Sequence, residues 1–243
     1  MLQVCLNGAR LPNGLPEIPV SPADLAAHAT AAIAAGAQDI HVHPKNDDGT
    51  DTLDPDIVAA TLTSIRAVIP GWVRVGVTTG AWTEPDASRR SDLIRRWPVL
   101  PDHASVNWHE EGAELVARTL ADRGIAIEAG IWSSPSGALQ FATSPLHQHV
   151  IRVLAEVTDP DPGTVLATAT ALLAQIAESW SDPVLLHGED TSTWPVLTLA
   201  AHAGLDTRIG LEDTLTQPDG TIPASNADLV RTAVQIIASS HQT

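Results

Sequence analysis

Tyrosine is absent from this chain, and phenylalanine, methionine, cysteine and lysine occur once each. A single cysteine, Cys5, excludes an internal disulfide, which fits a reducing cytoplasm as the expected compartment. Cys5 itself reads as a small core residue. No run of about 18 apolar residues occurs, so no membrane-spanning helix is expected. The opening residues carry no basic segment ahead of an apolar stretch and read as a first strand, not a signal peptide. Basic residues are also scarce: 13 Lys and Arg face 29 Asp and Glu, a net charge of −16. Such a surface repels phosphate backbones and anionic lipids, so neither nucleic acid nor membrane is an expected partner. No internal repeat, low-complexity tract or linker interrupts the chain. The seven tryptophans carry no functional reading at this level.

What is present is a globular composition, 44% hydrophobic and 17% charged over 243 residues, close to the roughly 250 residues of a one-domain barrel. Short apolar, β-branched runs at 2–6, 38–43, 73–78, 103–107, 125–131, 149–155, 183–187 and 206–211 predict strands. Helical patterns fill 21–35, 54–68, 86–97, 111–123, 162–179, 194–203 and 226–239. Ser21-Pro22 and Asp54-Pro55 read as helix starts with proline in the first turn, as does Ser225-Asn226 without it, and Gly36 and Gly124 as helix stops. Eight strands alternating with helices imply parallel βαβ units and a closed (β/α)8 TIM barrel in one domain, 1–243. The fifth connection, 132–148, is rich in Pro and Ser and predicts at most a short helix. An open doubly wound sheet is the rival, but no glycine-rich phosphate turn follows the first strand.

In a barrel, chemistry sits at the carboxyl ends of the strands. Those ends are unusually polar: Asn7, His41, His43, Thr78, Thr79, Asn107, His109, Glu110, Glu156, His187, Glu189, Glu212 and Asp213, with Glu128 inside strand 5. His41-Val42-His43 is the sharpest feature. Residues i and i+2 of a strand share a face, so both imidazoles enter the barrel mouth together. Strands 2 and 8 present side chains at one height, which makes Glu212 a third ligand. Two His and one carboxylate leave positions open on a divalent metal, Zn²⁺ or another, as catalysis requires. Glu128 in an apolar strand demands a partner or a site role, because a buried unpaired carboxylate is costly. His187 and Glu189 read as groups able to orient a ligand imidazole. The loop 44–53 lacks the final Glu of an EF-hand and is no calcium loop.

Together these pieces resemble the beta-keto acid cleavage enzyme family. The resemblance rests on Leu6-Asn7-Gly8-Ala9, on the run from Gly36-Ala37 through Ile40-His41-Val42-His43 to Asp48-Gly49, and on Thr78-Thr79-Gly80. It continues through Ser105-Val106-Asn107 and Arg208-Ile209-Gly210-Leu211-Glu212-Asp213 to Ser225-Asn226-Ala227-Asp228-Leu229-Val230. The resemblance implies a metal-dependent barrel that takes a β-keto acid and acetyl-CoA to acetoacetate and a new acyl-CoA. It implies His41, His43 and Glu212 as zinc ligands and Arg208 with Asp213 as the dyad that deprotonates and positions the reactants. Thr78 and Ser105 become hydroxyl contacts to substrate, and Asn7, Asn107 and Glu128 join them as expected substrate-binding residues.

Three places depart from the family pattern: Arg10 stands where the type member has a carboxylate, Glu156-Val157-Thr158-Asp159-Pro160 replaces a glycine-rich segment, and strand 7 ends in His187-Gly188-Glu189. A guanidinium at position 10 favours a substrate with a distal anionic or polar group, such as a β-keto dicarboxylate. Three other readings stay open from the residues alone: a hydrolase of the amidohydrolase type, a Schiff-base aldolase using the one lysine, Lys45, and a metal-binding scaffold. A homo-oligomer is compatible with the sequence.

Overall fold

The computed structural model describes residues 1–12, 14, 16–134 and 137–240. Its strands are β1 (Leu2–Cys5), β2 (Asp39–Val42), β3 (Arg74–Thr78), β4 (His103–Asn107), β5 (Ala126–Trp132), β6 (Val150–Val157), β7 (Val184–Gly188) and β8 (Thr207–Ile209). The helices that follow them are α1 (Pro22–Ala35), α2 (Pro55–Arg66), α3 (Ala87–Arg95), α4 (Ala113–Asp122), α5 (Ala138–Ala142), α6 (Val165–Ala177), α7 (Thr193–His202) and α8 (Asn226–Ser240). The strands run parallel in the order β7-β6-β5-β4-β3-β2-β1-β8. Leu2 to Val4 pair with Thr207 to Ile209. A bridge between Leu185 and Asp206, with Leu186 N donating to Asp206 O at 2.9 Å, brings the last two strands together. The result is a nearly closed (β/α)8 barrel, as the alternation of patterns predicts.

Local chemistry sets the element ends. Ser21 accepts from Asp24 N, and Asp54 accepts from Asp56 N and Ile57 N, each satisfying otherwise orphaned helix amides. Gly36 takes a left-handed φ of 119° after α1, a conformation glycine adopts without strain. The fifth connection holds only the short α5 and a single 3-10 turn at His147–His149; its residues 135 and 136 lie outside the described set.

The apolar core lies between the strands and the helices, with Val4, Ile40, Val75, Ala104, Ile127 and Val153 fully buried. The interior floor of the barrel is instead polar. Gln3, Asp39, His103, Glu128 and Arg152 come from five strands. His103 Nε2 lies 3.0 Å from Asp39 Oδ1, and His103 Nδ1 lies 3.1 Å from Glu128 Oε2. Arg152 Nε donates to Glu128 Oε1 at 2.6 Å, and its Nη2 also reaches Glu128 and, at 3.3 Å, Asp39. Gln3 Nε2 donates to both Asp39 and Glu128. Buried charges need such pairing.

Candidate metal centre and active site

Above this floor, the carboxyl ends of the strands enclose a cavity of about 330 Å³, within the size range of small-molecule sites. His41 enters it from β2, His43 from the residue just after β2, and Glu212 from the turn after β8. One ligand atom of each lies within 4.8 Å of the others. His41 Nε2 is 3.8 Å and His43 Nε2 3.6 Å from Glu212 Oε2. Metal–ligand bonds of about 2.0–2.2 Å in a tetrahedral arrangement put ligand atoms about 3.3–3.5 Å apart, so a small contraction around an ion suffices. Glu212 Oε2 is buried and makes no hydrogen bond, and neither does His41 Nδ1. An acceptor left bare beside two imidazole nitrogens is what a divalent cation satisfies. The residues fit a metal.

The candidate ligands are braced. Asn7 Oδ1 accepts from His43 N at 2.9 Å, and its Nδ2 donates to His43 O at 2.9 Å, fixing that backbone on both sides. His43 Nδ1 lies 2.6 Å from Asp51 Oδ2, which leaves Nε2 facing Glu212 Oε2. Asp51 also receives Lys45 Nζ at 2.6 Å and Trp82 Nε1 at 2.8 Å. Burial opposes charge on Asp51, but His43 and Lys45 outweigh it and hold the carboxyl down at about 2. On the other side, Arg208 Nη2 donates to Glu212 Oε1 at 3.0 Å and Nε to Asp213 Oδ1 at 2.9 Å. For Glu212 the burial cost is outweighed by Arg208 and the two imidazoles, and its carboxyl is held at about 2. Burial pushes the His41 imidazole down to about 4, so it is neutral near pH 7, the state that binds metal.

The cavity wall contains Arg10, Thr78, Ser105, Asn107 and Arg208, five of the residues expected to meet substrate or take part in catalysis. Three expected residues stand elsewhere. Asn7 is fully buried, and its amide is occupied by His43 and Pro19 O, so it braces the backbone of His43 and is not part of the cavity wall. Glu128 is fully buried in the floor, with its charge committed to Arg152 and His103; a substrate contact there is corrected to a structural ion pair. Asp213 is also off the wall. Its side chain is buried behind Arg208, and burial pushes its carboxyl up to about 7 against the guanidinium. Lys45, the Schiff-base candidate, is absent from the wall and bound to Asp51 and Gly49 O.

Arg10 is paired as well as placed. Its Nε donates to Glu212 O at 3.0 Å and its Nη2 to Asp190 Oδ1 at 2.6 Å. Several residues in or behind the cavity wall escape a reading of the sequence. Asp51 sits eight positions after His43 in a loop of several acids, with no pattern to single it out. Trp82 and Trp132 line the wall, and Trp82 stacks on His43 at 5.9 Å; Trp132 ends β5 and Trp82 follows β3.

A sequence profile described as beta-keto acid cleavage enzyme matches residues 1–243. The chain belongs to that family. It is 24% identical over 241 residues to a 3-keto-5-aminohexanoate cleavage enzyme of Fusobacterium nucleatum, covering 91% of this chain and 84% of that protein. It is 31% identical over 112 residues to a 3-oxoadipate:acetyl-CoA acetyltransferase of Cupriavidus necator, covering 44% of this chain and 38% of that protein. Among solved structures, a type I 3-dehydroquinate dehydratase from Clostridium difficile aligns over all of this chain and 92% of its own, with a TM-score of 0.68 at 10% identity. A tryptophan synthase from Mycobacterium tuberculosis aligns with a TM-score of 0.53 at 16% identity, over 97% of this chain and 91% of its own. Those two likenesses concern the fold alone. No helix among the described residues is long and apolar enough to cross a membrane.

Proposed function

We propose that this family member uses a divalent metal held by His41, His43 and Glu212 to convert a β-keto acid and acetyl-CoA into acetoacetate and a new acyl-CoA. The observation that carries the reading is the bare Glu212 Oε2 facing two imidazole nitrogens at the base of the cavity. A bound Zn²⁺ or similar ion would supply a Lewis acid that polarises a carbonyl oxygen. Arg208 fixes the second oxygen of Glu212 and adds positive charge beside the site, which favours an anionic substrate and charge developing on oxygen. Thr78, Ser105 and Asn107 offer hydroxyl and amide groups along the wall for the substrate carboxylate and ketone. Arg10, at the rim, is the proposed contact for a distal anionic group, and the partial likeness to a 3-oxoadipate-using protein supports a dicarboxylate. Asp213 is the inner member of the acid–base set, buried and paired with Arg208. A cytoplasmic location accompanies this reading, since acetyl-CoA is an intracellular thioester and one buried cysteine needs no oxidising compartment.

The test is a metal analysis of the purified protein joined to a screen of β-keto acids with and without acetyl-CoA, following acetoacetate. We expect about one divalent ion per chain and acetoacetate only when both substrates are present. His41→Ala and His43→Ala should lose metal and turnover while keeping the circular dichroism of the barrel. A chelated double variant with full activity would overturn the metal centre, and product formation without acetyl-CoA would overturn the acyl transfer.

A further inference from the structure

The acidity of this chain is not spread evenly. The loops that run from each strand to the next helix form the rim of the barrel mouth. They hold sixteen of the 29 acidic residues but two of the 13 Lys and Arg. Their excess of fourteen negative charges supplies nearly all of the net −16. Neither basic residue is free: Lys45 is buried on Asp51, and Arg10 donates to Glu212 O and to Asp190. Ten of the acids, among them Asp47, Glu111, Asp161, Glu189 and Asp219, are exposed. No exposed Lys or Arg stands beside them among the described residues of these loops. The start of α3 contributes two guanidiniums, and both face carboxylates: Arg89 lies 3.9 Å from Asp86, and Arg90 is buried 3.4 Å from Glu110.

CoA is a polyanion: a 3′-phosphate and a diphosphate stand at the far end of a neutral pantetheine arm. The interior and the rim of the site suit these two parts differently. Inside, Arg208 adds positive charge beside the candidate metal ligands. The cavity of about 330 Å³ is at the small end of ligand sites, a size for the reacting groups and not for a nucleotide as well. Trp82 and Trp132 on its wall offer apolar surface to the arm. At the rim, phosphate binding calls for Arg, Lys or uncapped helix amides. The first turns of α1, α2 and α3 already have amides capped by Ser21, Asp54 and Asp86, and two of those caps are themselves carboxylates.

Resting on the cleavage reading above, we propose that the acetyl donor is recognised by its thioester and pantetheine end alone, with the nucleotide phosphates left in solvent and repelled by the acidic rim. Acetyl thioesters of short neutral thiols, such as acetyl-pantetheine and S-acetyl-N-acetylcysteamine, are then substrates in their own right. The chemistry needs nothing more of the donor. The C–S bond of the acetyl thioester breaks, with its electron pair on sulfur, as the acetyl carbon bonds to C2 of the keto acid. The same sulfur then bonds to the ketone carbon as the C2–C3 bond breaks. The thiol released is the thiol consumed, so atoms and electrons balance with any thiol carrier.

The test is the ratio of kcat/KM for acetyl-CoA to that for acetyl-pantetheine at saturating 3-oxoadipate, in which effects of salt on the keto acid cancel. At low ionic strength the ratio should be one or less. It should rise about tenfold between about 0.01 and 0.3 M salt, as the Debye length falls from about 30 Å to below about 8 Å. Asp47→Lys combined with Glu111→Lys, both exposed and in different loops, should raise the low-salt ratio severalfold through acetyl-CoA alone. A ratio of about 100 or more that falls with salt overturns the proposal, because cations of this chain or of a second copy would then hold the phosphates. An unchanged ratio in the folded double variant overturns it as well. Calorimetry on the metal-free protein compares CoA with pantetheine directly: CoA should bind no more tightly at low salt and gain affinity as salt rises, and tighter CoA binding at low salt counts against the proposal. Wild-type protein that forms no acetoacetate with either donor would sink the cleavage reading, whereas the calorimetry judges donor recognition without turnover.

Discussion

Glu212 has two oxygens with two different tasks. Arg208 occupies Oε1, and Oε2 is left bare toward the imidazoles, so the guanidinium sets the direction of the ligand. Asp51 does the same for His43 by occupying Nδ1. Carboxylates behind ligand imidazoles typically contribute about 10–100-fold to metal affinity. Asp51→Asn should therefore weaken metal binding by about that factor in competition with a chromophoric chelator, without unfolding the barrel; unchanged affinity would mean that Trp82 and Asn7 suffice to orient His43. Arg10 is tested on a smaller scale. A charge-assisted bond to a substrate carboxylate contributes about 1.5–3 kcal/mol, but Asp190 already offsets the guanidinium and is itself largely exposed, where pairing is weak. Arg10→Ala should raise KM for 3-oxoadipate about tenfold, the low end of that range, and Arg10→Glu should shift preference toward an amino β-keto acid. Equal KM values for wild type and Arg10→Ala would remove Arg10 from substrate recognition.

At the scale of elements, β8 is the thinnest part of the barrel and carries the most chemistry. It spans three residues, and the chain bends at once to present Glu212 and Asp213. That bend needs close backbone contact: a Cβ on Gly210 would lie 1.9 Å from Cys5 O, and one on Gly8 would meet Glu212 Cγ at 2.5 Å. Gly210→Ala should push β8 away from β1 and move Glu212 with it. We expect reduced metal affinity together with a lower midpoint in urea, whereas full metal binding would show that the turn absorbs the methyl group. The strands and helices themselves were legible because period-two and helical apolar patterns report burial directly, and β4 coincides with its expected bounds at 103–107. His41, His43 and Glu212 were legible because strand ends fix both height and face. Asp51, Asn7 and Glu128 were read wrongly or missed for one reason. Whether a polar side chain faces the cavity, a ligand's backbone or an ion pair depends on contacts between elements, which period and spacing do not encode.

For the molecule as a whole, the polar barrel floor makes stability depend on pH, and the sign follows from two groups. Burial alone would lower the His103 imidazole, but Glu128 and Asp39 outweigh it and raise it to about 9, above an ordinary value near 6.5. The stabilisation from its charge is therefore complete below pH 6.5 and is lost as pH rises through 9. Glu156, lifted to about 8 from 4.5, acts in the same direction, because between those values the folded chain holds a proton that the unfolded chain has released. Asp39 and Glu128 are shifted downward, so their contribution is present above the ordinary carboxylate range and is lost only in acid. At about 1.4 kcal/mol per unit, His103 alone accounts for about 3 kcal/mol between pH 6.5 and 9. For a chain of this size that corresponds to a fall in Tm of about 6–12 °C. The metal-free protein should show that fall by differential scanning calorimetry, at constant ionic strength to hold screening fixed. Glu128→Gln removes the carboxylate that most raises His103, so it should start from a lower Tm and show a shallower alkaline slope. The slope distinguishes this account from a general loss of stability: a wild-type Tm that stays flat from pH 6.5 to 9 would mean that His103 is not charged in the folded barrel.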